Sequence, residues 1–290
     1  MIDRSRISLN RILFPSASLE DFFRLTSELD LNKVELRNDL SGKGIIDAYS
    51  PEQVKRLSEK YDITIRTINA LQKFNLGRIL PNVMTELREL ISLSVAINCV
   101  AIVLVPNNEV NDERDSEVIM RETIAALKAF GPLFEDSGLF GYVEPLGFEE
   151  CSIRSKTTAM RAIRESGYDN YKIVHDTFHH HLGPDTRDTL ENEYDIAYTG
   201  LVHVSGVEDD IPANEYRDGH RVLITARDHL KNREQREQLM DLGYTGDISF
   251  EPFAMEVQRI TKTIEKPRRI PIGCASDCWF TSLTSREFTW

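Results

Sequence analysis

Eight times along the chain, a short run of β-branched and other apolar residues gives way to a segment with the apolar spacing of an amphipathic helix. That alternation constrains the fold most, because buried strands read as short apolar runs whereas helices repeat at about 3.6 residues. The runs cover residues 7–13, 33–36, 63–68, 99–105, 139–143, 171–174, 200–204 and 247–250. Between them, Ser18-Leu-Glu-Asp21 predicts a helix start with Ser18 as N-cap. Ser50-Pro-Glu-Gln53 predicts another, with Pro51 at the first helical position and Gln53 closing a capping box. Longer helices are predicted over about 82–95, 116–134, 156–165 and 228–242. Strand–helix units of roughly 34 residues predict a (β/α)8 TIM barrel, α/β in class, over residues 1–270. A doubly wound open sheet is the competing architecture, but the Gly-rich phosphate turn it would carry after the first strand is absent.

Composition narrows the partners. The 290 residues include 35 basic and 47 acidic side chains, a formal net charge of −12, so a general attraction to nucleic acid is not expected. The basic run Lys266-Pro-Arg-Arg269 is too short to reverse that. The longest uncharged stretch, residues 90–108, is broken by Ser92, Ser94, Asn98 and Pro106, and it reads as a helix end followed by a buried strand. No membrane span is expected. No apolar run follows the charged start Met1-Ile-Asp-Arg-Ser-Arg, and four cysteines in so long a chain make no disulfide framework. A reduced cytoplasm is the expected compartment. Residues 271–290 read differently, holding both tryptophans (Trp279, Trp290) and Cys274 and Cys278. They are expected to lie outside the barrel as a disordered or non-native tail, and a metal site on Cys274-x-x-x-Cys278 would lack a second ligand pair.

In a barrel of parallel strands the chemistry sits at the C-terminal strand ends. Strand five ends Tyr142-Val-Glu144-Pro145, strand six Lys172-Ile-Val-His-Asp176, strand seven Gly200-Leu-Val-His203 and strand eight Ile248-Ser-Phe-Glu251-Pro252. Four consecutive strands thus each deliver one metal-capable side chain at a common height: Glu144, Asp176, His203 and Glu251. One such acid is ordinarily a solvated strand end or a helix cap. Four in succession point to a site for one divalent ion, Mn²⁺, Mg²⁺, Co²⁺ or Zn²⁺, with room left for substrate oxygens. The prolines after Glu144 and Glu251 favour an extended exit that aims each carboxylate inward.

With Phe74-Asn75, these strand ends resemble the xylose isomerase-like barrel superfamily of sugar isomerases and epimerases. Within it the pattern is most similar to the inosose (2-keto-myo-inositol) isomerases of bacterial inositol catabolism. That similarity rests on Glu35-Leu-Arg37, Asn69-Ala-Leu71, Glu149-Glu-Cys151-Ser and Asp176-Thr-Phe-His-His-His181, and it spans roughly residues 5 to 260. The resemblance implies a small-molecule polyol or ketose as substrate, a chain that can act as a homo-oligomer, and Glu144 and Glu251 as an acid/base pair working through a cis-enediolate. It gives Asp176 and His203 the part of ligands only. His179 matches a histidine that touches a substrate oxygen, and otherwise it is a loop histidine in a run of three. His181 is open between the same two readings, and His180 is expected to be structural. Arg221 matches an arginine that contacts substrate or loop. Glu35, Arg37 and Asn69 could bind substrate hydroxyls or simply pair with one another.

The resemblance also breaks. Relatives carry a Pro-Gly-x-Gly loop before the last helices, where this chain reads Leu223-Ile-Thr-Ala226. Without glycine a positive φ is disfavoured, so this loop must take another course. A keto-polyol dehydratase on the same scaffold, or a sugar-binding barrel without turnover, are the competing functions.

Overall fold

Both predicted helix starts form as their sequences dictate. The Ser18 side chain accepts from Asp21 N and opens α1 (Leu19–Glu28). Ser50 and Gln53 exchange the two bonds of a capping box at the start of α2 (Pro51–Tyr61). In the computed structural model, which describes residues 3–264, eight strands alternate with such helices. The strands are β1 (Ile7–Asn10), β2 (Lys33–Arg37), β3 (Thr64–Leu71), β4 (Ala101–Leu104), β5 (Phe140–Val143), β6 (Tyr171–Asp176), β7 (Thr199–Val204) and β8 (Asp247–Phe250). All neighbours pair in parallel, and β1 closes on β8 in the register Ile7↔Ile248, making a closed eight-stranded barrel. Outside lie α3 (Leu80–Ala96), α4 (Ser116–Ser137), α5 (Lys156–Ser166), α6 (Thr177–Leu182), α7 (Arg187–Asn192), α8 (Asn232–Asp241) and α9 (Met255–Ile264). The TIM barrel expected from the alternation is the fold. Residues 271–290, set apart above as a tail, lie outside the described residues.

Several element boundaries differ from expectation by a few residues, two of them for a local reason. The first strand stops at Asn10 rather than residue 13, because the Asn10 side chain accepts from Ile12 N at 3.1 Å and starts a single turn. The last long helix begins at Asn232 rather than 228. Asp228 folds back instead, its carboxylate accepting from Val207 N, Leu230 N and Asn232 N.

Strand alternation sorts the core. Side chains facing the helices form one buried cluster with Phe22, Phe23, Leu87, Leu127, Phe130 and Phe134. Those of opposite phase, Ala101, Val103, Tyr142, Val174 and Leu201, form a second cluster inside the barrel. By the two-residue period, Glu144 continues the phase of Tyr142, Asp176 that of Val174, and His203 that of Leu201. On β4 to β7 the interior is therefore apolar below and ionic at the C-terminal ends of the strands, while at the opposite end of the barrel Lys33 and Arg66 pair with Asp247.

Candidate metal centre

One ligand atom from each of Glu144, Asp176, His203 and Glu251 can be chosen so that all four lie within 4.8 Å of one another. Backbone pairing continues one residue past strand ends to place them: Glu144 N donates to Leu104 O at 3.0 Å and Glu251 N to Val204 O at 2.9 Å. All four are buried, the most open being Glu144 at 5%. The four residues singled out from the strand ends therefore come together.

The surroundings hold each in place. His203 Nδ1 lies 2.9 Å from Glu144 Oε1, 3.2 Å from Glu251 Oε2 and 4.0 Å from Asp176 Oδ2. Its other nitrogen, Nε2, lies 3.0 Å from Glu35 Oε2. An imidazole that gives its Nε2 proton to a carboxylate presents the Nδ1 lone pair to a cation, as metal-binding histidines do. Glu35 is in turn fixed by Thr67 Oγ1 at 2.5 Å and Asn69 Nδ2 at 2.9 Å. Asp176 divides its two oxygens. Oδ1 accepts from Phe178 N and His179 N and caps α6, while Oδ2 accepts from Arg221 at 2.6 Å. Glu251 is held from both sides, by Arg37 at 2.7 Å and Asn10 at 3.1 Å on Oε1 and by Arg221 at 3.0 Å on Oε2.

Charge tests whether a cation fits. Four buried carboxylates (Glu35, Glu144, Asp176, Glu251) face two buried guanidiniums (Arg37, Arg221), which leaves two negative charges for a dication to neutralise. A proton on His203 can take part of that load. Burial opposes charge on His203, yet Glu251, Glu35 and Glu144 raise its basicity well above the ordinary imidazole value. Burial would likewise raise Glu35, but His203 holds it down to about 2. The two glutamates diverge. Burial raises Glu144, and His203 offsets this only in part. At Glu251 burial is outweighed by His203, Arg221 and Arg37, which keep its carboxyl well below the usual range. The donor set fits a divalent ion.

The flanking residues fall into place unevenly. His179 is 5% exposed, wedged edge-on between Phe148 and Phe178, and its Nδ1 accepts from Gly147 N at 3.2 Å. A Cβ on Gly147 would sit 2.3 Å from His179 O, so only glycine permits that approach. His181 is not brought to the cluster. It lies over Tyr216 and lines a separate 320 Å³ cavity with Phe148, Arg154 and Arg217. His180 is tied to Lys156 Nζ at 3.0 Å. Glu35, Arg37 and Asn69, open in the sequence between substrate and one another, contact the buried cluster and its partners. The loop that lost its glycines runs 222–226 without a positive φ, and Val222 pairs with Gly206 instead. Asn10 and Phe253 were not expected at the site; Asn10 closes its strand just as the ligands close theirs, and that position is the signal the sequence offered for it.

Comparison with known proteins agrees with the barrel fold. A xylose isomerase domain-containing protein from Salmonella typhimurium LT2 superimposes with a TM-score of 0.83 at 37% identity, over 89% of this chain and 92% of that one. The IolI protein, whose crystal structure holds a zinc atom, gives 0.81 at 19% identity over 90% and 93%. The inosose isomerase of Halalkalibacterium halodurans is 24% identical over 214 residues, 72% of this chain and 74% of that one. Residues 23–271 match the xylose isomerase-like TIM barrel family as a whole, and this chain belongs to that family.

Proposed function

We propose that this chain is a divalent-metal-dependent isomerase of a ketose, with 2-keto-myo-inositol (inosose) as its substrate, acting in the cytoplasm in inositol catabolism. The observation that carries the reading is the cluster of Glu144, Asp176, His203 and Glu251, four donors within 4.8 Å whose surroundings leave two negative charges uncompensated. The 24% identity to an inosose isomerase supports the choice of substrate.

An ion held by those four residues supplies Lewis acidity to a carbonyl and the hydroxyl beside it. The protein moves the proton. Glu144 and Glu251 act as the acid/base pair: one, ionised, takes the proton next to the carbonyl to give a cis-enediolate, the other, protonated, delivers its own proton to the adjacent carbon, and the hydroxyl proton passes to the former carbonyl oxygen. Their environments suit different halves of that exchange. Among the described residues no guanidinium pairs with Glu144, and burial favours its protonated form. Glu251 is kept ionised between Arg37 and Arg221. His179, with Nδ1 engaged by Gly147, bears its proton on Nε2 and offers it to a substrate oxygen that gains charge. Arg221 serves Asp176 and Glu251, and Asn69 serves through Glu35.

Proton NMR of inosose in D2O with metal-loaded protein tests the reading: deuterium should enter at the reacting carbon as the product appears. Glu144→Gln and Glu251→Gln should each slow turnover by at least about 10²-fold while some metal remains bound. Exchange with loss of water would point to the dehydratase instead. Full activity after thorough chelation would refute metal dependence.

A further inference from the structure

Phe253, two residues beyond Glu251, has no part in the reading above. Its half-buried ring lies under the guanidinium carbon of Arg37 at 4.9 Å and that of Arg221 at 4.8 Å. These are the two cations that grip opposite oxygens of Glu251. We propose that Phe253 is a positioning residue, whose one ring sets both guanidinium planes and through them the orientation of the Glu251 carboxylate. The inference rests on the proposed part of Glu251 in proton transfer.

The rest of each guanidinium is already directed. Arg37 forks onto Asp39, with Nε at 2.7 Å and Nη2 at 2.6 Å, leaving Nη1 for Glu251. Arg221 gives Nε to Ser205 at 3.0 Å and Nη2 to both Asp176 and Glu251, and it also lies 5.0 Å from the Phe178 ring. Hydrogen bonds fix each guanidinium within its plane, and an aromatic face fixes the tilt of that plane. Two like charges held close also repel, and a ring whose face is negative is attracted to both. The segment carrying Phe253 is itself pinned, since Ala254 N donates to Arg221 O at 2.8 Å and Gln258 donates to Phe253 O at 3.0 Å. An aliphatic side chain of similar volume would fill the space without the attraction.

The test compares Phe253→Leu, which removes the ring, with Phe253→Tyr, which keeps it. Thermal melts confirm that both variants fold. NMR follows the Nε–H signals of Arg37 and Arg221, whose exchange with water reports how firmly each guanidinium is held. In Phe253→Leu both signals should lose the part of their ring-current shift that Phe253 supplies, Arg221 keeping that of Phe178, and exchange at least about tenfold faster, consistent with the strength of a desolvated cation–π contact. Turnover (kcat) should fall about tenfold with KM changed less than about threefold, because the substrate-binding groups stay. Phe253→Tyr should restore both readouts to near wild type. Exchange in Phe253→Leu unchanged from wild type, or faster exchange with kcat unaltered, overturns the inference and leaves the proposed function standing. If the wild-type protein converts no ketose, the proposed function falls, and the exchange rates still decide whether Phe253 holds the two arginines.

Discussion

His203 shows how one buried residue can be read in two states. Between Glu144, Glu251 and Glu35 its imidazole carries a proton well above the ordinary pH range for histidine. A dication binding at Nδ1 must displace that proton. Below the native value, therefore, each ion bound should release about one proton, and apparent affinity should rise about tenfold per pH unit. Calorimetry at pH 7 in two buffers of different ionisation enthalpy would measure the release; no release would mean that Nδ1 is not a ligand. Glu35 matters in the same state, since it accepts the hydrogen bond from Nε2–H and so fixes which nitrogen faces the ion. Glu35→Gln should lower metal affinity by about 10–100-fold without touching the ion itself, as outer hydrogen-bond partners of ligands commonly do. An affinity unchanged in that variant would make Glu35 a neighbour only.

At the scale of elements, α5 carries an unusual first residue. Lys156 is 4% exposed, with its amine near His180 at 3.0 Å and Asp185 at 3.6 Å. Burial lowers its basicity despite Asp185 and Asp176. A native value below the unfolded one means that the unfolded chain binds the extra proton, so stability must climb as pH rises from the native value toward that of a free lysine. Lys156→Met should flatten this climb relative to wild type in urea unfolding between neutral pH and about pH 10, a comparison in which the tyrosines cancel. Equal slopes would show that the amine titrates as if exposed. The same helices show what was legible in the sequence. Strand positions and the Ser18 and Ser50 caps were readable, because each is a local pattern carried by adjacent residues. The start at Asn232 was not, because Asp228 is drawn away by Val207, some twenty residues earlier in the chain. The pairing of Glu35 with His203 was equally hidden, being a contact across 168 positions. The four candidate ligands were readable since each closes its own strand; which neighbour steadies each of them was not.

For the molecule as a whole, an ion at the centre would join β5, β6, β7 and β8, with β2 behind it through Glu35. Binding only to the folded state, it should stabilise by about 2.7 kcal/mol at a hundredfold excess over Kd, or about 4–5 °C in Tm for a chain of this size. A thermal melt with and without chelator would read this directly, and the same Tm in both would speak against a bound ion. Closure of the barrel has a further consequence, in time rather than in space. Glu251 lies just past the last strand and is steadied by Asn10 and Arg37 from the first two. A chain emerging from the ribosome would hold Glu144, Asp176 and His203 long before it could hold an ion among all four, and no fragment ending before β8 could complete the set. The complete set of four would thus form only once β8 has joined β1 and β2, so an ion held by all four would mark a closed barrel.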